Sequence, residues 1–133
     1  MERDLSKEYE EFARTSVRPE EDEERSFIDY YRSLEKVMRM PNSEIIKNGD
    51  LEKSYFYQIL KGNRIPGRDK VIRLCLGAGL TVEETSQALI LNENAPLYLK
   101  KKRDRILAFA VKKGLSVTET NLLLDEKGEQ PLL

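Results

Sequence analysis

The sequence predicts an all-α protein: one helical domain carrying a helical arm at its front and a second helical hairpin at its back. Apolar residues recur at the i, i+3, i+4 spacing of amphipathic helices in almost every window, and no segment sustains the alternation of a half-buried strand. Proline and glycine fall between these windows rather than inside them. The chain has 133 residues, 39% of them hydrophobic and 35% charged, enough for one core with highly charged outer faces.

Residues 1–25 read as an acidic, partly helical arm, with Leu5, Tyr9 and Phe12 at helical spacing. Arg18-Pro19 interrupts it. Pro19 followed by Glu20, Glu21, Asp22, Glu23 and Glu24 reads as a helix opening, because proline fits the first turn and carboxylates suit the positive end of the helix dipole. The helix that follows carries Phe27, Tyr30, Tyr31, Leu34, Val37 and Met38 on one stripe and is stopped by Pro41. A short helix comes next, capped by Asn42 or Ser43, carrying Ile45 and Ile46 and ending at Asn48-Gly49-Asp50. A third helix spans residues 51–61. Leu51, Tyr55, Phe56, Ile59 and Leu60 form its apolar face, Lys53, Ser54, Tyr57, Gln58 and Lys61 its polar one, and Gly62 ends it.

From there the chain repeats with an offset of 35 residues. Arg68-Asp69-Lys70-Val71-Ile72 returns as Arg103-Asp104-Arg105-Ile106-Leu107, Gly79-Leu80-Thr81-Val82 as Gly114-Leu115-Ser116-Val117, and Pro96-Leu97 as Pro131-Leu132. Each copy reads as a helix ended by glycine, a Thr81 or Ser116 cap with Glu84 or Glu119 three residues on, a second helix, and a loop. Two copies are too few for a solenoid, so the duplication is expected to stack on the same core, with the last leucines packing back.

Composition narrows the chemistry. With no histidine and a single cysteine, Cys75, the chain lacks the commonest general base, the commonest metal ligand and any internal disulfide. It has neither a Gly-rich phosphate loop nor a cysteine cluster, so no enzyme, cofactor or metal is expected, and Cys75 reads as a core side chain. No run approaches a membrane span and no apolar stretch follows a basic start, so a cytoplasmic protein without membrane partner is expected.

The net charge of −1 is unevenly spread. Residues 1–26 hold ten acidic against five basic residues, whereas residues 47–73 hold seven basic (Lys47, Lys53, Lys61, Arg64, Arg68, Lys70, Arg73) against three acidic (Asp50, Glu52, Asp69). A local positive excess of this kind attracts phosphates. Lys100-Lys101-Lys102-Arg103 with Arg105 is a second basic cluster. It reads as a solvated junction between the repeats, or as a phosphate contact or docking point for an acidic partner such as the N-terminal arm.

Residues 43–66, a short helix, tight turn, second helix and Gly-basic-Pro loop, resemble the helix-turn-helix of the xenobiotic-response-element, Cro and lambda-repressor-like family. The family's reading helix ends in a pattern like S-Y-x-x-x-I-x-x-G-x-R-x-P, and Ser54, Tyr55, Ile59, Gly62, Arg64 and Pro66 occupy those positions. Gly79-Leu80-Thr81-Val82-Glu83-Glu84 resembles the family's step into its fifth helix, so the likeness covers about residues 26–91. The resemblance implies a lambda-repressor-like helix-turn-helix domain over residues 26–99, extended by a hairpin over residues 100–133. It also implies a sequence-specific, DNA-binding transcriptional regulator acting on double-stranded DNA. Lys53, Ser54, Tyr57 and Gln58 are then the expected base readers, and Lys61, Asn63, Arg64 and Arg68 the expected phosphate contacts. A homodimer is expected because one short helix reads few base pairs, with the N-terminal segment or the C-terminal hairpin as its contact. Asp50 stands where the family commonly has glycine, and Glu52 opens the reading helix. Both carboxylates favour the alternative of a protein-interaction adaptor on the same fold.

Overall fold

A computed structural model describes residues 3–16 and 25–133. Among these residues there are nine α-helices and no strand: α1 (Leu5–Ser16), α2 (Phe27–Ser33), α3 (Glu35–Arg39), α4 (Asn42–Asn48), α5 (Lys53–Leu60), α6 (Arg68–Gly77), α7 (Val82–Leu91), α8 (Lys102–Lys113) and α9 (Val117–Glu126). The fold is all-α. No helix among the described residues is long and apolar enough to cross a membrane.

The expected helix running from Pro19 to Pro41 is instead two helices. The acidic opening at residues 20–24 lies outside the described residues, and α2 starts at Phe27 behind Ser26, whose hydroxyl accepts from the Asp29 N–H at 3.1 Å. At Leu34 the backbone turns extended, with ψ 133°, and α3 begins. Ser33 marks the break: its hydroxyl donates to the Tyr30 carbonyl at 2.7 Å, a side-chain bond of the type that bends helices. The break leaves Val37 inside and turns Met38 out to solvent, so the stripe read from sequence is interrupted at its end. Nor do Asn42 or Ser43 cap α4. Both lie in its first turn, Pro41 holds the cap position, and no side chain bonds there.

One continuous core runs from Phe27 through Ile45, Phe56, Ile72 and Leu89 to Leu107, Leu124 and Leu132. Tyr31 is fully buried, lies 5.7 Å from the Phe27 ring, and donates its hydroxyl to the Leu74 carbonyl at 2.9 Å, fixing α2 to α6. Burial holds its phenol well above the ordinary range. Cys75 is in the same core, and burial pushes its thiol up to about 12. The tightest crossing is that of α4 on α6, where Gly49 and Gly77 meet. A Cβ at Gly77 would lie 2.6 Å from the Ile45 carbonyl oxygen, and one at Gly49 would lie 3.0 Å from that of Arg73. Only glycine permits this approach.

The two copies of the repeat are joined across their seam by matched charges. Arg68 of the first copy pairs with Asp104 of the second at 2.8 and 3.1 Å, and Arg103 of the second pairs with Asp69 of the first at 2.9 and 3.2 Å. The offset of 35 extends to the partners. Arg68 also donates to the carbonyls of Ala95 and Pro96, Arg103 to those of Gln130 and Pro131, and Asp104 and Asp69 accept the N–H groups of Tyr98 and Leu133. Reciprocal pairing, residue i to j and j to i, is the signature of a two-fold relation; a translational stack would carry the Arg–Asp contact forward in one direction. The duplication is thus a closed pair. Both copies end their first helix on a glycine of positive φ (Gly79, 68°; Gly114, 69°), and both open their second with a complete capping box.

Candidate nucleic-acid interface

The apolar side of α5 is set by Phe56 and Ile59, both buried, with Tyr55 and Leu60 half-buried beside them. Leu51, expected as the first residue of this helix, is buried but lies before it. Glu52 is the N-cap and makes no side-chain cap bond, so the helix is Lys53–Leu60 rather than residues 51–61. The turn from α4 passes through Asp50 at φ 48°, a left-handed conformation that aspartate tolerates better than most residues. It is held from behind: Arg73 donates to the Asp50 carbonyl at 3.0 Å and to the Leu132 carbonyl at 3.2 Å, tying the turn to the packed-back C-terminal segment. At the far end Gly62 adopts φ 77°, the Asn63 N–H bonds the Gln58 carbonyl at 2.9 Å, and Arg32 of α2 donates to the Leu60 carbonyl at 3.1 Å. These contacts fix the helix at both ends without using its outer face.

That outer face carries Lys53, Ser54 and Gln58, all exposed, and runs into Lys61, Asn63 and Arg64, also exposed. Arg64 lies with its guanidinium 5.1 Å from the centre of the Tyr55 ring and donates to the Gln58 side-chain oxygen at 3.3 Å. Lys70, from the first turns of α6, sits 5.7 Å from the same ring. Burial, followed by the repulsion of Arg73, holds its ammonium below its ordinary value against the opposing pull of Asp50 and Asp69. Tyr55 thus carries two cations against its ring, and Lys70 joins the basic surface. The apolar spacing of the helix predicts Tyr55 as a core residue and leaves Lys70 among the local charges. Only the loop that folds Arg64 back over the ring brings the three together.

Two expected contacts are placed differently. Tyr57 packs against the core, its ring edge-on to Phe56 at 5.4 Å and 73°, and is half-buried rather than projecting like Gln58. Arg68 spends its guanidinium on Asp104 and two carbonyls, so its charge is neutralised within the repeat seam and it is not a free phosphate ligand. The second basic cluster is likewise divided. Lys102 donates to the Lys127 carbonyl at 2.6 Å, Arg103 pairs with Asp69, and Arg105 donates to the Leu99 carbonyl at 2.9 Å, leaving Lys100 and Lys101 at the exposed junction. Asp50 and Glu52 are exposed at the N-terminal rim of α5, beside Lys53. Among the described residues no group of carboxylate, cysteine or histidine side chains is arranged to hold a metal ion. No family model, curated protein or solved structure matches the chain, so the interface is defined by its own geometry.

Proposed function

We propose that this chain is a lambda-repressor-like helix-turn-helix protein that binds double-stranded DNA, sets α5 into the major groove, and acts as a transcriptional regulator. The observation that carries the reading is the division of α5. Its inner residues are locked in the core and at both ends, while Lys53, Ser54 and Gln58 project outward beside a cationic cluster of Lys61, Arg64 and Lys70. A helix fits the major groove. Lysine donates to guanine, the glutamine amide pairs with adenine, and flanking cations take the phosphates. Asn63 and Arg64, in the loop after the helix, are suited to fix its register on the backbone. Arg64 holding the Gln58 oxygen leaves the amide NH2 of Gln58 to donate to a base edge, and restricts how that side chain can meet one.

Selection from a pool of random duplexes at two salt concentrations tests this. One enriched motif is expected, with affinity falling steeply as salt rises. Lys53→Ala and Gln58→Ala should each weaken the selected site by roughly 5- to 150-fold, corresponding to about 1–3 kcal/mol per base contact, while Lys61→Ala should weaken all sequences alike. Absent or salt-insensitive binding would replace this reading with the second one, a protein-interaction adaptor, which the exposed carboxylates of Asp50 and Glu52 favour. The two readings also part on Asp50→Gly/Glu52→Gln: DNA affinity should rise in this variant, because two negative charges leave the rim of the groove-facing helix.

A further inference from the structure

The two-fold relation between the repeats makes their environments comparable residue by residue, and at one place those environments differ. On the first copy, the outer face of α6 is covered by α4, which leaves a cleft of about 290 Å³ at its edge. Gly77 meets the Ile45 carbonyl of α4, and Asn48 lies beside Gly77 and the corner formed by Gly114, Leu115 and Ser116. On the second copy the equivalent groove runs along α8 beside the corner formed by Gly79, Leu80 and Thr81, and it is open, with a volume of about 710 Å³. Phe109, which takes the place of Leu74, is 49% exposed there, and Leu99 is 57% exposed. Lys112 stands where Gly77 stands in α6. Its side chain excludes an α4-like approach at backbone distance, so an occupant has to lie farther out and reach inward with large side chains.

The groove has a marked charge. Its rim carries Lys36, Arg105, Lys112 and Lys113 against the single carboxylate of Glu83. Lys36 is already engaged with Glu84 at 3.4 Å, so the unopposed charge lies on the α8 side. The chain itself holds a segment of matching character. α1 is amphipathic, with Leu5 68% and Tyr9 62% exposed. It carries Glu8, Glu10 and Glu11 against Lys7 and Arg14, and with Glu8 paired to Arg3 at 2.7 Å the carboxylates free to meet the groove are Glu10 and Glu11. Residues 1–26 as a whole hold ten acidic residues against five basic ones. At 12 residues, α1 is about 18 Å long, a fit to the length of α8 beside the groove.

We propose that α1 of one copy seats in the groove between α8 and the residue 79–83 corner of a second copy, and that the reciprocal exchange makes the chain a symmetric dimer. Within a single chain both surfaces stay exposed, whereas exchange covers each of them twice. Leu5, Tyr9, Leu99 and Phe109 keep only half to two-thirds of their surface exposed, about 100–140 Å² apiece, so these four side chains give roughly 450 Å² per seat. Two seats supply about 900 Å² from these side chains, and the stems of the charged residues that flank them bring the total to the lower end of the range of about 1,200–2,000 Å² that specific interfaces bury. The dimer does not depend on DNA binding, and its test uses none.

The full chain should sediment as a dimer at micromolar concentration. Phe109→Glu should raise the dimer dissociation constant at least tenfold with an unchanged helical spectrum. Lys112→Glu/Lys113→Glu, which alters only exposed side chains, should do the same and keeps the test valid if Phe109→Glu fails to fold. Mixing Tyr9→Cys chains with Phe109→Cys chains and adding a short bismaleimide should give a cross-linked heterodimer, while buried Cys75 keeps the parent chain unreactive. A monomer at all accessible concentrations, or charge-reversed variants that dimerise as before, would overturn the proposal. So would cross-linking only within one chain of the Tyr9→Cys/Phe109→Cys double variant, which would place α1 on its own groove.

Discussion

The reciprocal clasp between the repeats can be dissected by double-mutant cycles. In the Arg68–Asp104 pair the side chains are 26% and 6% exposed, and in the Arg103–Asp69 pair 23% and 15%. Removing one partner of a buried pair typically costs about 3–5 kcal/mol, because the remaining charge stays desolvated. Both arginines are partly wet here, and each keeps two carbonyl acceptors, so the expected loss for Asp104→Ala is smaller, about 2–4 kcal/mol. Asp69→Ala should cost less than Asp104→Ala, since Asp69 is the more exposed of the two. With a urea m-value of about 2 kcal/mol/M, a loss of that size lowers the unfolding midpoint by roughly 1–2 M, readily followed by far-UV circular dichroism. The coupling energies distinguish the topology. Across the seam, Arg68→Ala with Asp104→Ala and Arg103→Ala with Asp69→Ala should each couple by about 1–3 kcal/mol, whereas the sequence neighbours Arg68 and Asp69 should couple far more weakly. Stronger coupling within Arg68/Asp69 than across the seam would refute the two-fold arrangement.

The clasp also predicts an acid limit. Burial raises the Asp69 and Asp104 carboxyls, but hydrogen bonds from Arg103 and Leu133 to the first, and from Arg68 and Tyr98 to the second, outweigh it and leave both below the ordinary 3.8. The unfolded chain therefore binds more protons in that range, so stability is fully present above about pH 4–5 and is lost as pH falls through the folded values. Asp104→Asn should flatten this slope in acid titrations followed by circular dichroism. Glu93 sits at φ 61° where its counterpart Gly128 sits at 77°, so Glu93→Gly should stabilise by about 0.5–1 kcal/mol and raise Tm by roughly 2–5 °C in calorimetry, with no gain disproving backbone strain there. Gly77→Ala forces a Cβ to within 2.6 Å of the Ile45 carbonyl and should cost about 1–3 kcal/mol, measured by urea unfolding.

Much of this molecule is legible in its sequence because the determinants are local. The glycines that end α6 and α8 and the capping boxes at Thr81 and Ser116 each act within a few residues of themselves, and each is found where the pattern puts it; helical periodicity gives the helical class but not the break within the Phe27–Met38 stripe. The 35-residue repeat is likewise visible as written. The candidate site is legible only in part. Lys53, Ser54 and Gln58 project as helical spacing requires, but Tyr57 turns to the core because its ring finds Phe56, and Arg68 turns to the seam because Asp104 offers a buried carboxylate. The break at Leu34 was hidden for a similar reason: Ser33 gives no helix-breaking signal strong enough to outweigh the apolar stripe around it.

What the sequence determined by itself is therefore the helical class, the duplication, and which side of α5 faces inward. What only the tertiary structure decided is the symmetry of the repeats and the partners of their charges. Periodicity constrains one helix at a time, whereas an arginine 35 residues from its counterpart acquires its partner through the packing of the core beneath it. The close approach of α4 to Gly77, and its exclusion at Lys112, follow from that packing as well.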